Sequence, residues 1–132
     1  MMRKLALQMT RALAVVFAAL TAPLFAGPAA AAELIMVEEH GCVWCARWDS
    51  ELSAIYPKTP EGKFAPLRRV QKHQTSQAEI SFTRPVSFTP TFVLVEDGHE
   101  VGRIEGYPGE DFFWGLLGRM LAEQTRYEES QG

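Results

Sequence analysis

Apolar residues occur along this chain in short runs and in helical spacings that predict seven elements. Apolar, partly β-branched runs bounded by turn residues predict four strands, over 33–39, 67–71, 91–96 and 100–105. Apolar positions that recur every three or four residues predict helices over 42–55 and 110–124, with weaker helical support over 74–81. Prolines predict loops at 57–66 and 82–89.

Each of the two strong helices carries an apolar stripe that indicates a buried packing face. The first stripe consists of Val43, Trp44, Trp48, Leu52 and Ile55. The second consists of Phe112, Phe113, Leu116, Leu117, Met120 and Leu121. Within the first stripe, Trp48 is expected in the core, whereas Trp44 has two interpretations: a core filler in the first helical turn, or an exposed ring on which a partner docks.

The order of the elements predicts an α/β fold. A helix-containing crossover joins the first two strands, and such a connection makes them parallel. Asp97-Gly98 between the last two strands predicts an antiparallel hairpin, which His99 could lengthen. We therefore expect a four-stranded mixed sheet with helices on both faces, a three-layer α/β/α sandwich.

Composition limits the chain to one small domain. Its 132 residues, 47% hydrophobic, leave no room for two independent cores, and the patterning excludes a disordered tail or a coiled coil. A formal net charge of −3 gives no basic surface for nucleic acid. Two cysteines are too few for a disulfide-rich scaffold.

Residues 1–32 have the pattern of a cleaved secretory signal. Basic residues precede an apolar run over 12–20, and small residues lead to an expected cleavage after Ala32, within about two residues. A retained membrane anchor is the alternative, but the run is shorter than the ~20 residues that a bilayer requires. We expect a periplasmic domain at 33–132 with no stable membrane anchor.

Export changes the charge of the domain and the chemistry expected of its thiols. The leader holds three of the 13 basic residues and none of the 16 acidic ones, so the domain at 33–132 carries a formal charge of −6. Outside the cytoplasmic membrane thiols are normally oxidised, so a close cysteine pair there requires an explanation.

The candidate chemistry lies in Gly41-Cys42-Val43-Trp44-Cys45, between a predicted strand and a predicted helix. Free N–H groups and the dipole at a helix N-terminus stabilise a thiolate, and they can lower a thiol pKa below ~8.5. Cys42 is the expected nucleophile, which attacks a substrate disulfide, and Cys45 is the buried thiol that resolves the mixed disulfide. The pair would serve as the redox-active group, with no separate cofactor.

A C-x-x-C pair has three other common uses. A C-x-x-C-H haem attachment site is excluded because residue 46 is Ala. A zinc site would require two further ligands, such as His40 with His73 or His99, but no second ligand pair with the usual spacing exists, and we expect no metal. An inert structural disulfide remains an alternative, although so short a loop would stabilise little.

Phe88-Thr89-Pro90-Thr91-Phe92 forms a second constellation, because its proline lies at the start of a predicted strand. One interpretation is that Pro90 only ends the preceding loop. Alternatively, it is a cis proline beside the sulfurs, with Thr89 offering backbone groups to a substrate chain; cis bonds make up only ~5–6% of X–Pro bonds. Substrate contacts are thus expected from Val43, Trp44, Thr89 and Pro90.

The chain resembles the thioredoxin superfamily. Gly41-Cys-Val-Trp-Cys45, Thr89-Pro-Thr-Phe92, Asp97-Gly98 and Gly106 carry the resemblance, which spans nearly all of 33–132. It implies a thioredoxin-like fold and a cis Pro90. More narrowly, 65–70 and 103–109 look like the small periplasmic SoxS-type proteins of bacterial sulfur-oxidation clusters. That family implies reduction of disulfides or thiol adducts on partner proteins.

The sequence departs from typical thioredoxins in three ways. Val43-Trp44 replaces Gly-Pro between the cysteines, so the redox potential of that family is not assumed. Met36 replaces the buried Asp six residues before the first cysteine; Glu38 or Glu39 could substitute, but solvated strand-end charges are favoured. The N-terminal strand and helix are missing, which makes the domain minimal and glutaredoxin-sized.

These observations give one leading hypothesis. The chain is expected to be a monomeric, exported thiol–disulfide oxidoreductase that reduces a partner protein and receives electrons from a membrane thiol-transfer protein. The alternatives are a disulfide oxidase or isomerase, and a redox-responsive binding module in which Trp44 and the cysteine turn dock a partner without turnover.

Overall fold

The computed structural model describes residues 32–128. Its elements, in chain order, are β1 (Glu33–Glu38), α1 (Val43–Trp48), a π-helical turn (Asp49–Ser53), a 3-10 turn (Tyr56–Lys58), α2 (Pro60–Phe64), β2 (Leu67–Gln71), a 3-10 segment (Lys72–Gln77), β3 (Thr91–Glu96), β4 (His99–Glu105) and α3 (Glu110–Gln124). The expected leader lies outside the described residues except for Ala32, which is buried in the main core.

The four strands form one mixed sheet in the order β2-β1-β3-β4. β1 and β2 are parallel, with Val37 opposite Val70, as the crossover predicts. β3 pairs with β1 and with β4 in the antiparallel sense, and Asp97-Gly98 makes a tight turn that His99 does not lengthen. The predicted fold class is confirmed.

Alternation along the strands divides the apolar side chains between the two faces of the sheet. One face carries Leu34, Met36, Phe92 and Leu94, which form the main core with α1 and α3. The other face carries a smaller cluster, Ile35, Val37, Val93 and Val95, closed by Ile80, Phe82 and Val86. The second outer layer is thinner than predicted, because an irregular segment over 80–86 supplies it.

The difference arises because the predicted helix over 74–81 does not form. A 3-10 segment with no buried residue, Lys72–Gln77, covers only the first part of that stretch. Polar side chains give a helix here no apolar face to pack against the sheet, so a short 3-10 turn connects the elements.

The predicted helix over 42–55 is continuous only to Trp48 in α-helical form. It widens into the π-helical turn at Asp49–Ser53, where the Ser50 hydroxyl donates to the Arg47 carbonyl at 2.9 Å. Trp48 fixes this helix to the sheet: it is fully buried, and its ring lies 5.4 Å from that of Phe92. Its predicted place in the core is confirmed.

The loop predicted at 57–66 is wrong, because two of its prolines, Pro57 and Pro60, lie in the first turns of helical segments. Pro60 is the first residue of α2, and the hydroxyl of Thr59 caps the helix by accepting the N–H of Gly62 at 3.0 Å. Gly62 packs so tightly that a Cβ would lie 1.8 Å from the Tyr56 carbonyl oxygen.

The apolar stripe of α3 is only partly buried. Phe113, Leu117, Met120 and Leu121 lie in the core as predicted. Phe112 and Leu116 are exposed, because they lie outside the face that α3 presents to β4 and α1. Ile55, predicted in the first stripe, is exposed as well.

A buried ion pair fixes the irregular segment over 80–86 to β4. The guanidinium of Arg103 donates to both carboxylate oxygens of Glu100, and the two side chains are only 5% and 3% exposed. Arg103 also donates to the backbone carbonyls of Arg84 and Pro85, and Glu100 accepts the N–H of Thr83 at 2.8 Å. The pair therefore holds the chain just before the Thr89–Pro90 bend.

Glu100 predicts a defined loss of stability in acid. Burial raises the pKa of its carboxyl, but hydrogen bonds from Arg103 and the Thr83 N–H outweigh burial, so the folded pKa lies below the usual 4.5. Such a group stabilises the fold above its unfolded pKa, and this contribution is lost as pH falls through the folded value. We expect the free energy of unfolding, measured in urea, to fall steadily below pH ~4.5.

A matched pair of variants tests this assignment. Glu100→Gln should lose stability at pH 7 and show a flatter decline in acid, whereas Glu123→Gln, at an exposed carboxylate of α3, should follow the wild-type curve. Identical acid slopes in wild type and Glu100→Gln would contradict the prediction.

Candidate active site

Cys42 and Cys45 form a disulfide at the start of α1, with their Cα atoms 5.2 Å apart. Cys42 is the N-cap of α1, and its sulfur accepts the backbone N–H of Cys45 at 3.1 Å. Cys45 is 4% exposed and lies in the main core, whereas Cys42 is half-buried at its edge. A reagent from solvent therefore reaches the Cys42 sulfur first.

The turn between β1 and α1 places Cys42 just beyond the C-terminal end of β1. Gly41 has φ +79°, a left-handed conformation that residues with a Cβ rarely adopt. The N–H of Cys42 then donates to the carbonyl of Glu39 at 3.2 Å. After this tight turn, the Cys45 N–H in the first helical turn points at the Cys42 sulfur.

These N–H groups determine what the sulfur can do. In the reduced protein, the Cys45 N–H that donates to Cys42 Sγ would stabilise a thiolate there, because a hydrogen bond to the charged form favours that form. The positive end of the helical segment over 43–53 acts in the same sense. The arrangement supports nucleophilic attack by Cys42 and internal attack by Cys45.

The bend before β3 lies at the same end of the sheet as the cysteines. β1 and β3 are antiparallel, with Val37 opposite Thr91, so the end of β1 and the start of β3 are neighbours. The Thr89–Pro90 peptide bond is cis, as the resemblance implies, and the Pro90 carbonyl accepts the N–H of Gly106 at 2.7 Å. The Thr89 hydroxyl donates to a Glu39 carboxylate oxygen at 3.1 Å, which links the two halves of the site.

Exposed apolar side chains lie on both halves of the site. Val43 is 74% exposed and Trp44 is 52% exposed. Of the two interpretations of Trp44, the exposed ring is therefore the correct one, and the core filler is wrong. Phe88, 61% exposed and next to Thr89, belongs to the second constellation, but the sequence predicts no substrate contact for it. Its position beside the candidate substrate-binding residues was the available signal.

An open cavity of about 400 Å³ lies beside the sulfurs. Its lining includes Cys42, Val43 and Cys45 together with polar residues at the ends of β1 and β2, namely Glu38, Glu39, His40 and Gln71. Asp49 of the π-helical turn also lines it. Trp44, Thr89 and Pro90 are not part of this lining. Among the predicted site residues, only the cysteines and Val43 therefore share the cavity.

The acidic residues before Cys42 differ in their surroundings. Met36 is fully buried, at the position where typical thioredoxins carry an acid. Glu38 lies on the same sheet face; its side chain is 17% exposed, and a carboxylate oxygen lies 2.8 Å from Arg69 Nη1. The expected solvation is therefore wrong for Glu38, because Arg69 on the adjacent strand pairs with it. Glu39 is exposed, 3.5 Å from Lys72 Nζ.

Over 32–128, no group of three or more His, Cys, Asp or Glu side chains is placed to hold a metal ion. In the same range, no helix has both the length and the apolar character needed to cross a bilayer.

Comparison with known proteins adds independent information. A family model described as a thioredoxin-like domain matches residues 27–121. The reduced periplasmic thioredoxin SoxS from Paracoccus pantotrophus is 49% identical, with a TM-score of 0.67, over 70% of this chain and 97% of that one. None of the curated proteins matches.

Two more distant structures share the fold. The thioredoxin of Fasciola hepatica is 23% identical, with a TM-score of 0.52, over 69% of this chain and 82% of its own. The thioredoxin of Malassezia sympodialis, an allergen, is 17% identical, with a TM-score of 0.51, over 67% and 76% respectively. At these identities the likeness concerns the fold alone.

Proposed function

Because this chain belongs to the thioredoxin-like domain family, we propose that it is an exported reductase of disulfides, or of thiol adducts, on a partner protein. The family and the disulfide-forming Cys42–Cys45 pair make it a thiol–disulfide oxidoreductase. Export to the periplasm, the reductive direction and a task in sulfur oxidation are the proposed parts. The 49% identity to a periplasmic thioredoxin SoxS supports them.

One observation carries the proposal: the half-buried Cys42 sulfur caps α1 while the Cys45 sulfur lies behind it in the core. The Cys42 thiolate attacks one sulfur of a substrate disulfide, and the other substrate sulfur leaves as a thiolate. Cys45, once deprotonated, attacks Cys42 Sγ and releases the second substrate thiolate. The substrate gains two electrons and takes up two protons, and the protein retains the Cys42–Cys45 disulfide.

Repeated turnover requires an electron donor. The disulfide must accept two electrons from another dithiol before the next cycle, and an oxidising compartment does not supply them freely. A membrane thiol-transfer protein that carries electrons outward is the proposed donor. Val43, Trp44, Thr89 and Pro90 are proposed to contact the protein substrate, since all four lie in the cysteine turn or the adjacent bend.

A Cys45→Ser variant tests the proposed substrate class. The first attack remains possible but resolution is blocked, so we expect a mixed disulfide between Cys42 and a host protein after expression in the native host. Intact mass of the captured chain should show an N-terminus within about two residues of Glu33 if the leader is removed. Cys42→Ser/Cys45→Ser is the matched control and should capture nothing. Capture of no protein, or of a full-length chain, would contradict the proposal.

The redox potential tests the direction. Equilibration with glutathione should give a value nearer the ~−270 mV of thioredoxin than the ~−120 mV of strong oxidants. A value at the oxidising end would favour the oxidase or isomerase.

A further inference from the structure

Arg47 contacts two aromatic rings beside the cysteine turn. Trp44 and Arg47 lie one turn apart on the same helical segment, and the Arg47 guanidinium carbon is 5.8 Å from the centroid of the Trp44 ring. The same carbon is 5.9 Å from the ring of Tyr107, which comes from the connection between β4 and α3. Arg47 therefore links the indole between the two cysteines to a second part of the chain.

Glu51 fixes Arg47 in this position. One carboxylate oxygen accepts Arg47 Nε at 2.9 Å, and the other accepts the Tyr107 hydroxyl at 2.5 Å. Hydrogen bonds from Tyr107 and Arg47 lower the pKa of the Glu51 carboxyl, because both donors stabilise its charged form. Tyr107 is buried and packs against Phe113 in the main core. A continuous series of contacts thus runs from the core to Trp44.

Trp44 needs such support because its ring is half-exposed. A cation placed against an aromatic face is attracted to it, and the attraction restricts the ring. Restriction before binding reduces the entropy that is lost when a partner docks. Val43, which lies between Cys42 and Trp44 in the sequence, is also exposed.

We infer that Arg47, Glu51 and Tyr107, here called the Trp44 clamp, position the indole of Trp44 as a preformed contact for an apolar side chain next to the disulfide of a protein substrate. The inference rests on the proposed function, since it requires Trp44 to meet a polypeptide during reduction. A small disulfide whose sulfur reaches Cys42 has no chain to lay across the indole. The clamp should therefore affect protein substrates alone.

Arg47→Ala in the otherwise intact chain is the test, with insulin as the protein disulfide and bis(2-hydroxyethyl) disulfide, which has neither an aromatic ring nor a charge, as the small one. We expect the KM for insulin to rise about two- to tenfold, because ordering a free side chain costs affinity of this size. The kcat for insulin and the rate with the small disulfide should stay unchanged. An unchanged KM, or an equal loss with both substrates, would overturn the inference.

Three variants separate positioning of Trp44 from other effects. Arg119→Ala removes an exposed arginine of α3 and should leave the KM unchanged. Arg47→Lys keeps a cation near the indole and should restore most of the affinity. In a Trp44→Ala background, Arg47→Ala should have no further effect; a second rise of equal size would mean that Arg47 acts independently of Trp44.

A spectroscopic measurement tests the clamp without turnover. In protein labelled with 5-fluorotryptophan, the 19F resonance of Trp44, assigned through Trp44→Phe, should shift in Arg47→Ala, while those of Trp48 and Trp114 stay in place. An unchanged Trp44 resonance would overturn the clamp. If the resonance shifts but the protein does not reduce insulin, the contact between the clamp and Trp44 is supported. The docking role of the clamp and the proposed function would then both be wrong.

Discussion

Replacing Cys42 with serine should reduce the rate of insulin reduction by dithiothreitol to the uncatalysed background. The thiolate is the attacking species in thiol–disulfide exchange, and a serine hydroxyl neither ionises near neutral pH nor forms a stable bond to sulfur. The structure gives no second thiol in this role: Cys45 is buried, and no other cysteine exists in the sequence. The measurement is the rate of insulin precipitation with and without the variant.

Two comparisons keep this result interpretable. The unfolding temperature of Cys42→Ser should match that of the reduced wild-type protein, because both lack the disulfide. Ser50→Ala, one exposed hydroxyl further along the same helical segment, should retain full activity. Residual catalysis in Cys42→Ser, or no catalysis in the wild type, would remove the dithiol mechanism.

Replacing Arg103 with methionine should cost the fold about 3–5 kcal/mol, since the change leaves Glu100 buried without its cation. A small domain has a total stability of roughly 5–15 kcal/mol, so this single change removes a large fraction of it. Urea unfolding should show a lower midpoint, and the segment over 80–86 should lose protection from hydrogen exchange first, because Arg103 holds its carbonyls. Insulin reduction should fall with it, since that segment leads to Thr89.

Matched changes decide whether burial is the cause. Arg84→Met removes an exposed partner of Glu105 and should cost at most about 1 kcal/mol. The double variant Arg103→Met with Glu100→Leu should recover much of the loss, because no unpaired charge remains. If Arg103→Met lowered the free energy of unfolding no more than Arg84→Met does, the interpretation would be wrong.

The sheet, its hairpin and the last helix follow from local patterns. β2, β3 and α3 have the predicted bounds because apolar runs and helical spacing both depend on short stretches of sequence. Prolines were misinterpreted at 57–66, where Pro60 begins a helix after the Thr59 cap. Composition alone does not distinguish a proline that ends an element from one that starts it.

The sequence predicts those parts of the candidate site whose residues are close together along the chain. Cys42 and Cys45 adjoin the same strand-to-helix turn, so their spacing suffices. The contact between Glu51 and Tyr107 joins residues 56 positions apart, and no periodicity signals it. The exposure of Trp44 depends on such contacts as well, which is why the sequence left its two interpretations open.

The close approach at Gly62 has a consequence for comparing this domain with its relatives. A side chain there would collide with the main chain at Tyr56. Related chains with the same local backbone should therefore have glycine at this position. Gly62 can therefore serve as a reference position when the stretch between α1 and β2 is aligned with related sequences. A homologue with a bulkier residue there must have a different backbone in that stretch.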